Sequence, residues 1–355
     1  MSIDLYTDEA AWDALRDDWH ALLQRSASPV LFLTWEWQRA WWASFGKGKE
    51  LCLLAKRGSD GGLVGVAPLF MQDTLLDAHA DLPGIRVEKP ALVGDRLRTV
   101  HIVGGTEVSD YLDVLSPKEH YADLWADVFQ FLARLDNWQI LDLHSIPAGS
   151  PTLPVVEGLA RSLGWRVNCV REDVCPVVEL PATWEEYLSN RLSKKQRHEL
   201  RRKMRKAEQE AAVAWQWAHE PGTLDAGLET FFSLHRASHP EKNAFMDETM
   251  ERYFRAIASA TARRDWLRLG LLTYDGQPVA SYLCFDFGAD RLVYNSGFDL
   301  SSHGSLAPGI VLMGHLISDA IQRGLQRVDF LQGDERYKYE FGAVDTEVMR
   351  LLIRR

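Results

Sequence analysis

Two widely separated stretches of the chain carry nearly the same hairpin. Leu-Leu-Ala-Lys at 53–56 leads to Asp60-Gly61-Gly62 and then Leu-Val-Gly-Val-Ala at 63–67. Leu-Leu-Thr-Tyr at 271–274 leads to Asp275-Gly276 and then Gln-Pro-Val-Ala-Ser-Tyr at 277–282. Asp and Gly between apolar runs mark a tight turn, because they adopt the positive φ such turns need. In both places the pattern continues strand, helix, strand. A duplicated domain would give this, and so would two generic apolar hairpins, which have few ways to look different. The chain has 355 residues, and domains usually run to about 100–200, so two are expected.

The spacing of apolar residues predicts helices at 8–25, 35–45, 121–135 and 153–163 in the first part, with strands at 100–103, 111–115, 139–144 and one or two within 165–180. The stretch 73–99 reads as irregular. Pro181-Ala182-Thr183 reads as a linker ending in a helix N-cap. A long helix is expected over 184–212, with further helices at 224–238 and 247–263. Three antiparallel strands follow within 266–299, then a loop and helix at 305–324, a strand at 327–331, a short helix or tight loop at 333–342 and a last strand at 347–355. Helices alternating with strands indicate an α/β (α+β) protein.

Thirteen Trp, with Trp35, Trp37, Trp41 and Trp42 close together, indicate a large aromatic core or an aromatic-lined groove. No run of about 18 apolar residues suggests a membrane span. The acidic N-terminus has no signal-peptide pattern. Cys52, Cys169, Cys175 and Cys284 are scattered without zinc spacing, which fits core residues in a reducing cytoplasm. A net charge of −10 argues against general DNA binding.

The order of elements in 266–332 resembles the core of the GNAT acyltransferases. There two central strands splay apart, an acyl donor enters the gap, and its pyrophosphate meets the N-terminus of the next helix. The helix at 184–212 followed by this core resembles the Fem-type peptidyl transferases. The segments TWEWQRAWWASFG, LVGVAPLF, LSKKQRHELRRKMRK, GQPVASYLCF, LAPGIVLMGHLISDAIQRG and VDFLQGDERYKYEFG together resemble the CelD/BcsL (BioF2-like) acetyltransferases, a GNAT group linked with bacterial cellulose biosynthesis. The resemblance implies two tandem GNAT-like domains, 1–180 and 181–355, each a mixed, mainly antiparallel sheet flanked by helices. It implies an N-acyltransferase that moves an acetyl or other small acyl group from a CoA thioester to an amine of a small molecule or a cell-envelope or polysaccharide precursor. A hydroxyl acceptor is the second option. The Fem likeness implies aminoacyl-tRNA as the alternative donor. A non-catalytic module binding an anionic glycan precursor or a partner protein is the rival reading. No permanently bound cofactor is implied, only acyl-CoA as co-substrate.

The family's phosphate loop reads Gln/Arg-x-x-Gly-x-Gly/Ala. Here Ser305-Leu306-Ala307-Pro308-Gly309-Ile310 stands in its place. A helix start still offers N–H groups to an anion, making Ser305, Ala307, Gly309 and Ile310 the candidate donor-binding residues, though Pro308 removes one N–H. The same segment 101–120 of the first copy has no basic or Gly-rich cradle, so that copy is expected to bind no donor.

Between Arg191 and Lys206 lie nine Lys/Arg and one acid, Glu199: a local charge of +8 against −18 elsewhere. Lys194, Arg197, Arg201 and Arg205 form one stripe at spacings of three and four, where like charges repel. A solvated face fits this, and so does an anion-binding site; Lys194, Arg197 and Arg201 are the substrate-binding candidates. Acyl transfer to an amine needs a base and an acid. Asp334 or Glu335 can serve as base and Tyr337 as acid, with Lys338 on an oxyanion or phosphate. Asp329, inside an apolar strand, needs a partner, with Lys338 or Arg336 nearby in sequence. Tyr294, Asp299 and His303 are candidates for the acceptor side. His235 and His239 have a spacing of four but no third metal ligand, so they read as helix-surface residues.

Overall fold

The computed structural model describes residues 3–75, 96–105, 108–299, 301 and 303–355. Most of the stretch expected to be irregular lies outside them; its two ends, 73–75 and 96–99, belong to strands. The chain forms two compact units: 1–173 with 347–355, and 174–346. The last residues therefore sit with the first unit, which differs from a simple cut at 180/181.

The first part contains β1 (Ile3–Tyr6), α1 (Ala10–Arg25), α2 (Trp35–Phe45), β2 (Glu50–Arg57), β3 (Leu63–Leu75), β4 (Arg96–Ile102), α3 (Tyr121–Arg134), β5 (Ile140–Pro147), α4 (Thr152–Ser162) and β6 (Arg166–Glu179). Buried Trp12, Leu15, Trp19, Leu22 and Leu23 form one face of α1. Thr34 caps α2 by accepting the Trp37 N–H. Trp12, Trp19, Trp37 and Trp125 are fully buried core residues, and Trp19 and Trp37 donate their indole N–H to Leu33 O and Ser109 Oγ. The strand expected at 111–115 is reduced to a single bridge, Val66 to Leu115. Asp113 turns its carboxylate onto the Val114 N–H and onto the hydroxyls of Ser150 and Thr152, which competes with strand pairing there.

The second part contains α5 (Trp184–Asn190), α6 (Lys194–Glu210), β7 (Val213–Trp217), α7 (Leu224–Ser238), α8 (Pro240–Phe245), α9 (Glu248–Ala262), β8 (Leu267–Tyr274), β9 (Gln277–Phe287), β10 (Asp290–Phe298), α10 (Pro308–Gln322), β11 (Arg327–Asp329), α11 (Arg336–Glu340) and β12 (Val344–Arg354). The long helix expected at 184–212 is two helices. Thr183 with Glu186 and Ser193 with Gln196 each form a capping box, so the chain restarts at Ser193. Residues Gly304–Gln322 are long and apolar enough to cross a membrane, but more than half of that stretch is buried as core, against α6 among other elements.

The strand order is β1-β2-β3-β4-β5-β12 in the first unit and β7-β8-β9-β10-β11-β6 in the second. The senses match position by position: antiparallel throughout, except that the fourth and fifth strands run parallel. Each sheet closes on a strand from the other half of the sequence. In the second unit Leu269 faces α7, where Gly227 lets it approach, and Gly270 faces Leu312 and Leu316 of α10. The sheet is thus covered by α7 on one face and α10 on the other.

Candidate active site

Parallel β10 and β11 pair over only three positions, Asp290–Arg327, Arg291–Val328 and Leu292–Asp329. Beyond Leu292 the strands part. Buried Arg291 ties β10 to α10 through Asp319 and the Leu316 carbonyl, and to β9 through Asp286. Directly after the last paired residue the β9–β10 register slips between Val293 and Asn295. Such bulges re-aim a strand edge. Ser296 sits opposite Tyr282 of β9, yet its N–H bonds the Asn295 carboxamide and its carbonyl accepts Lys242 Nζ at 2.6 Å. In antiparallel pairing both groups of a residue face the same side. The polar groups of Ser296 therefore point into the gap.

Lys242, on α8, was not singled out by sequence. Its Nζ also reaches Ser296 Oγ at 3.3 Å and lies 5.6 Å from the centre of the Phe298 ring. Burial pushes its pKa down to about 8, opposed by the nearby charge of Glu335. His235, expected on a helix surface, is 1% exposed. A β-carbon at Gly297 would fall 2.4 Å from its backbone nitrogen, so α7 lies directly on β10 and leaves the imidazole no solvent. Burial, then the charge of Lys242, push the His235 pKa down to about 4. His239 caps α8 from its exposed side by accepting the Glu241 N–H.

The other wall is the segment after β11. Asp329 Oδ1 accepts the Leu331 N–H, which holds the turn after β11. Lys338 is 2% exposed and donates to the carbonyls of Leu331, Gln332 and Gly333 while pairing with Glu335 at 2.7 Å. This corrects the expectation of a free cation at the gap: its donors are committed to the loop. Asp334 is exposed. Tyr337 is half-buried, its ring edge-on to Phe330, and burial followed by the charge of Glu335 raises its pKa. Tyr339 points away and donates to Asp345.

At the start of α10, Ala307 takes the left-handed φ of 50°, an uncommon backbone state for a residue with a β-carbon. Its carbonyl accepts the N–H groups of Ile310 and Val311. With Pro308 lacking an N–H, Gly309 supplies the first-turn donor. A β-carbon there would lie 2.7 Å from Phe298, so Gly also permits the helix start to press against the end of β10. Lys206 reaches the Ser305 carbonyl. Ile310 lines a hollow of about 520 Å³ together with Lys195, Lys203, Arg336 and Tyr339.

Lys194, Arg197 and Arg201 come together elsewhere, lining a hollow of about 570 Å³ with Trp184, His198 and Arg205. Arg197 donates to the Leu188 carbonyl and Arg201 pairs with Glu185. The Tyr294 ring packs between Phe254 and Phe285. Asp299 holds its own loop through Ser301, whose hydrogen bonds lower its pKa. His303 packs edge-on to Tyr274.

Splayed parallel strands, a bulge on the first of them and a helix start at the opening are now all in place, and residues 194–339 match a family model described as an acetyltransferase (GNAT) domain. The second unit has a GNAT-type fold. The first repeats its strand order, making the chain a tandem arrangement. FemX superposes with a TM-score of 0.64 at 12% identity, covering 99% of this chain and 97% of that one. The L-PGS structure from Bacillus licheniformis gives 0.55 at 11%, covering 100% and 94%. The C-terminal domain of a putative lysylphosphatidylglycerol synthetase from Agrobacterium fabrum gives 0.55 at 11%, covering 97% and 92%. At these identities the likeness concerns the fold. No curated protein sequence matches the chain.

Proposed function

We propose that the second unit is a cytoplasmic N-acyltransferase that accepts an acyl-CoA thioester in the gap between β10 and β11. The observation that carries this is the open edge of β10: after three paired positions, the backbone of Ser296 faces the gap. A backbone N–H there can take the thioester carbonyl once the Asn295 side chain yields, which stabilises the oxyanion of acyl transfer. The donor's phosphates would lie at Gly309 and Lys206, with Lys195, Lys203 and Arg336 in the adjoining hollow. Tyr337, kept protonated by burial, serves as acid to the leaving thiolate, and Glu335 or exposed Asp334 as base. Lys338 secures the loop that carries them. The acceptor amine approaches from the face of α8, and an amine on a cell-envelope or polysaccharide precursor follows from the CelD/BcsL resemblance. The first unit binds no donor.

A second reading has one observation in its favour. The hollow lined by Trp184, Lys194, Arg197, Arg201 and Arg205 suits a longer phosphate chain, as the aminoacyl-tRNA donor of Fem-type transferases would present. A thermal-shift series separates the two, because a ligand of the folded state raises Tm by mass action. Acetyl-CoA and CoA raising Tm supports the first reading. A response to charged tRNA alone supports the second. No response to either leaves the unit a non-catalytic module.

A further inference from the structure

We propose that Lys242 is itself an acyl acceptor, its ε-amine taking the acyl group from a thioester held in the gap between β10 and β11. This rests on reading that gap as the donor site. Three features converge on the amine. It occupies the open edge of β10, bonded to the Ser296 carbonyl and hydroxyl rather than to a carboxylate. It lies over Phe298, the residue against which the start of α10 packs, so it stands between the acceptor face and the donor end of the gap. It is short of solvent, and burial favours the neutral, nucleophilic form.

The charged and titratable groups facing it are Glu335 after β11 and His235 on α7. Glu335 favours the ammonium; His235 is neutral near pH 7. With a pKa near 8, about half the amine is free at pH 8, against under about 1% for an ordinary lysine of pKa ~10.4. In the step, neutral Nζ adds to the thioester carbonyl and the C–S bond breaks. The thiolate leaves and takes up the proton lost by nitrogen. The products are Nε-acyl-Lys242 and a free thiol, with no redox change.

The test uses the full chain with acetyl-CoA at pH 8, proteolysis and mass spectrometry, beside N-acetoxysuccinimide, a reagent that needs no donor site. Acetyl-CoA is expected to modify Lys242 at least about tenfold faster than exposed Lys47 and Lys118, in keeping with its larger neutral fraction. Added desulfo-CoA, which has no thiol to react with either reagent, should slow that reaction and leave the N-acetoxysuccinimide reaction at Lys47 and Lys118 unaffected. Lys242→Arg should abolish the modification and keep the donor-induced rise in Tm. If acetyl-CoA raises Tm while Lys242 stays unmodified, self-acylation is wrong and the donor site stands. If acetyl-CoA neither raises Tm nor modifies Lys242, both ideas fall. Equal rates at Lys242 and Lys47 would also overturn the proposal, because the gap would then deliver nothing.

Discussion

The two copies differ most at the same place, the point where the fourth and fifth strands stop pairing. In the second unit the last pair is Leu292 with Asp329; beyond it β10 has no strand partner on that side, and side chains meet its backbone instead, Lys242 at the Ser296 carbonyl and Ser238 at the Phe298 N–H. In the first it is His101 with Asp142, and the space beyond is filled. Asp142 pairs with Arg350 through both oxygens and with His144 Nε2 at 2.9 Å. His144 Nδ1 meets Glu172 at 2.9 Å. The rings of His101 and His144 stack 6.1 Å apart, and Phe70 and Trp41 continue the pile. One topology therefore holds either a gap or a plug: the fourth strand ends its pairing on apolar Leu292 in one copy and on ionisable His101 in the other. Each copy keeps an Asp at the last position where the fifth strand pairs with the fourth; in one it closes a turn, in the other it anchors a charge network.

The sharpest way to break this contrast is Tyr337→Phe. If the open gap is the catalytic one, turnover should fall about 10²–10⁴-fold with donor affinity nearly intact. Unchanged turnover in steady-state assays would remove Tyr337 from the chemistry. On the plugged side, Arg350→Met should cost about 3–5 kcal/mol in urea unfolding, because it leaves buried Asp142 short of a cation. A cost below about 1 kcal/mol would mean the network is dispensable.

The plug should also respond to pH. Burial disfavours charge on His144, but its bonds to Asp142 and Glu172 prevail and raise the pKa to about 9. A group whose pKa is raised on folding contributes fully below its unfolded value, about 6.5, and loses that contribution as pH rises through 9. Unfolding midpoints should therefore decline between about pH 7 and pH 10, and His144→Gln should flatten the decline. The smallest effect concerns the basic hollow: Arg197→Ala with Arg201→Ala should change stability by less than about 0.5 kcal/mol. It should weaken an anionic ligand severalfold, the more so at low salt. Equal affinity of both proteins in a salt titration would leave these arginines as a solvated face.

Much of the fold was legible because it is locally encoded. The hairpins at Asp60-Gly61 and Asp275-Gly276 and the helices starting at Thr34 and Asp247 follow from turn and cap chemistry. The restart at Ser193 was also written in the chain, as Ser-x-x-Gln, but a continuous run of cations masked it. His235 follows Phe231 by one helical turn, a spacing that could have marked it as buried. Lys242 had no local signal: a lysine on a short polar helix becomes special only when the fold lays that helix against a bulged strand. Lys338 looked like a reactive cation because sequence shows charge but not the three carbonyls that claim it. The partners of β6 and β12 were illegible for a related reason, since a strand's own residues do not name the edge it will join.

That exchange of closing strands has a consequence in time. The strand that completes the first sheet is translated only after the whole second unit, about 170 residues later, or roughly 10–35 s at ordinary rates of synthesis. Throughout that interval β5 presents a bare edge on the nascent chain, the kind of edge that recruits foreign strands. A fragment cut at 180/181 would carry the same defect permanently, as would its complement. Ribosome-bound chains stopped before Glu347 should therefore be protease-sensitive in residues that the finished protein protects.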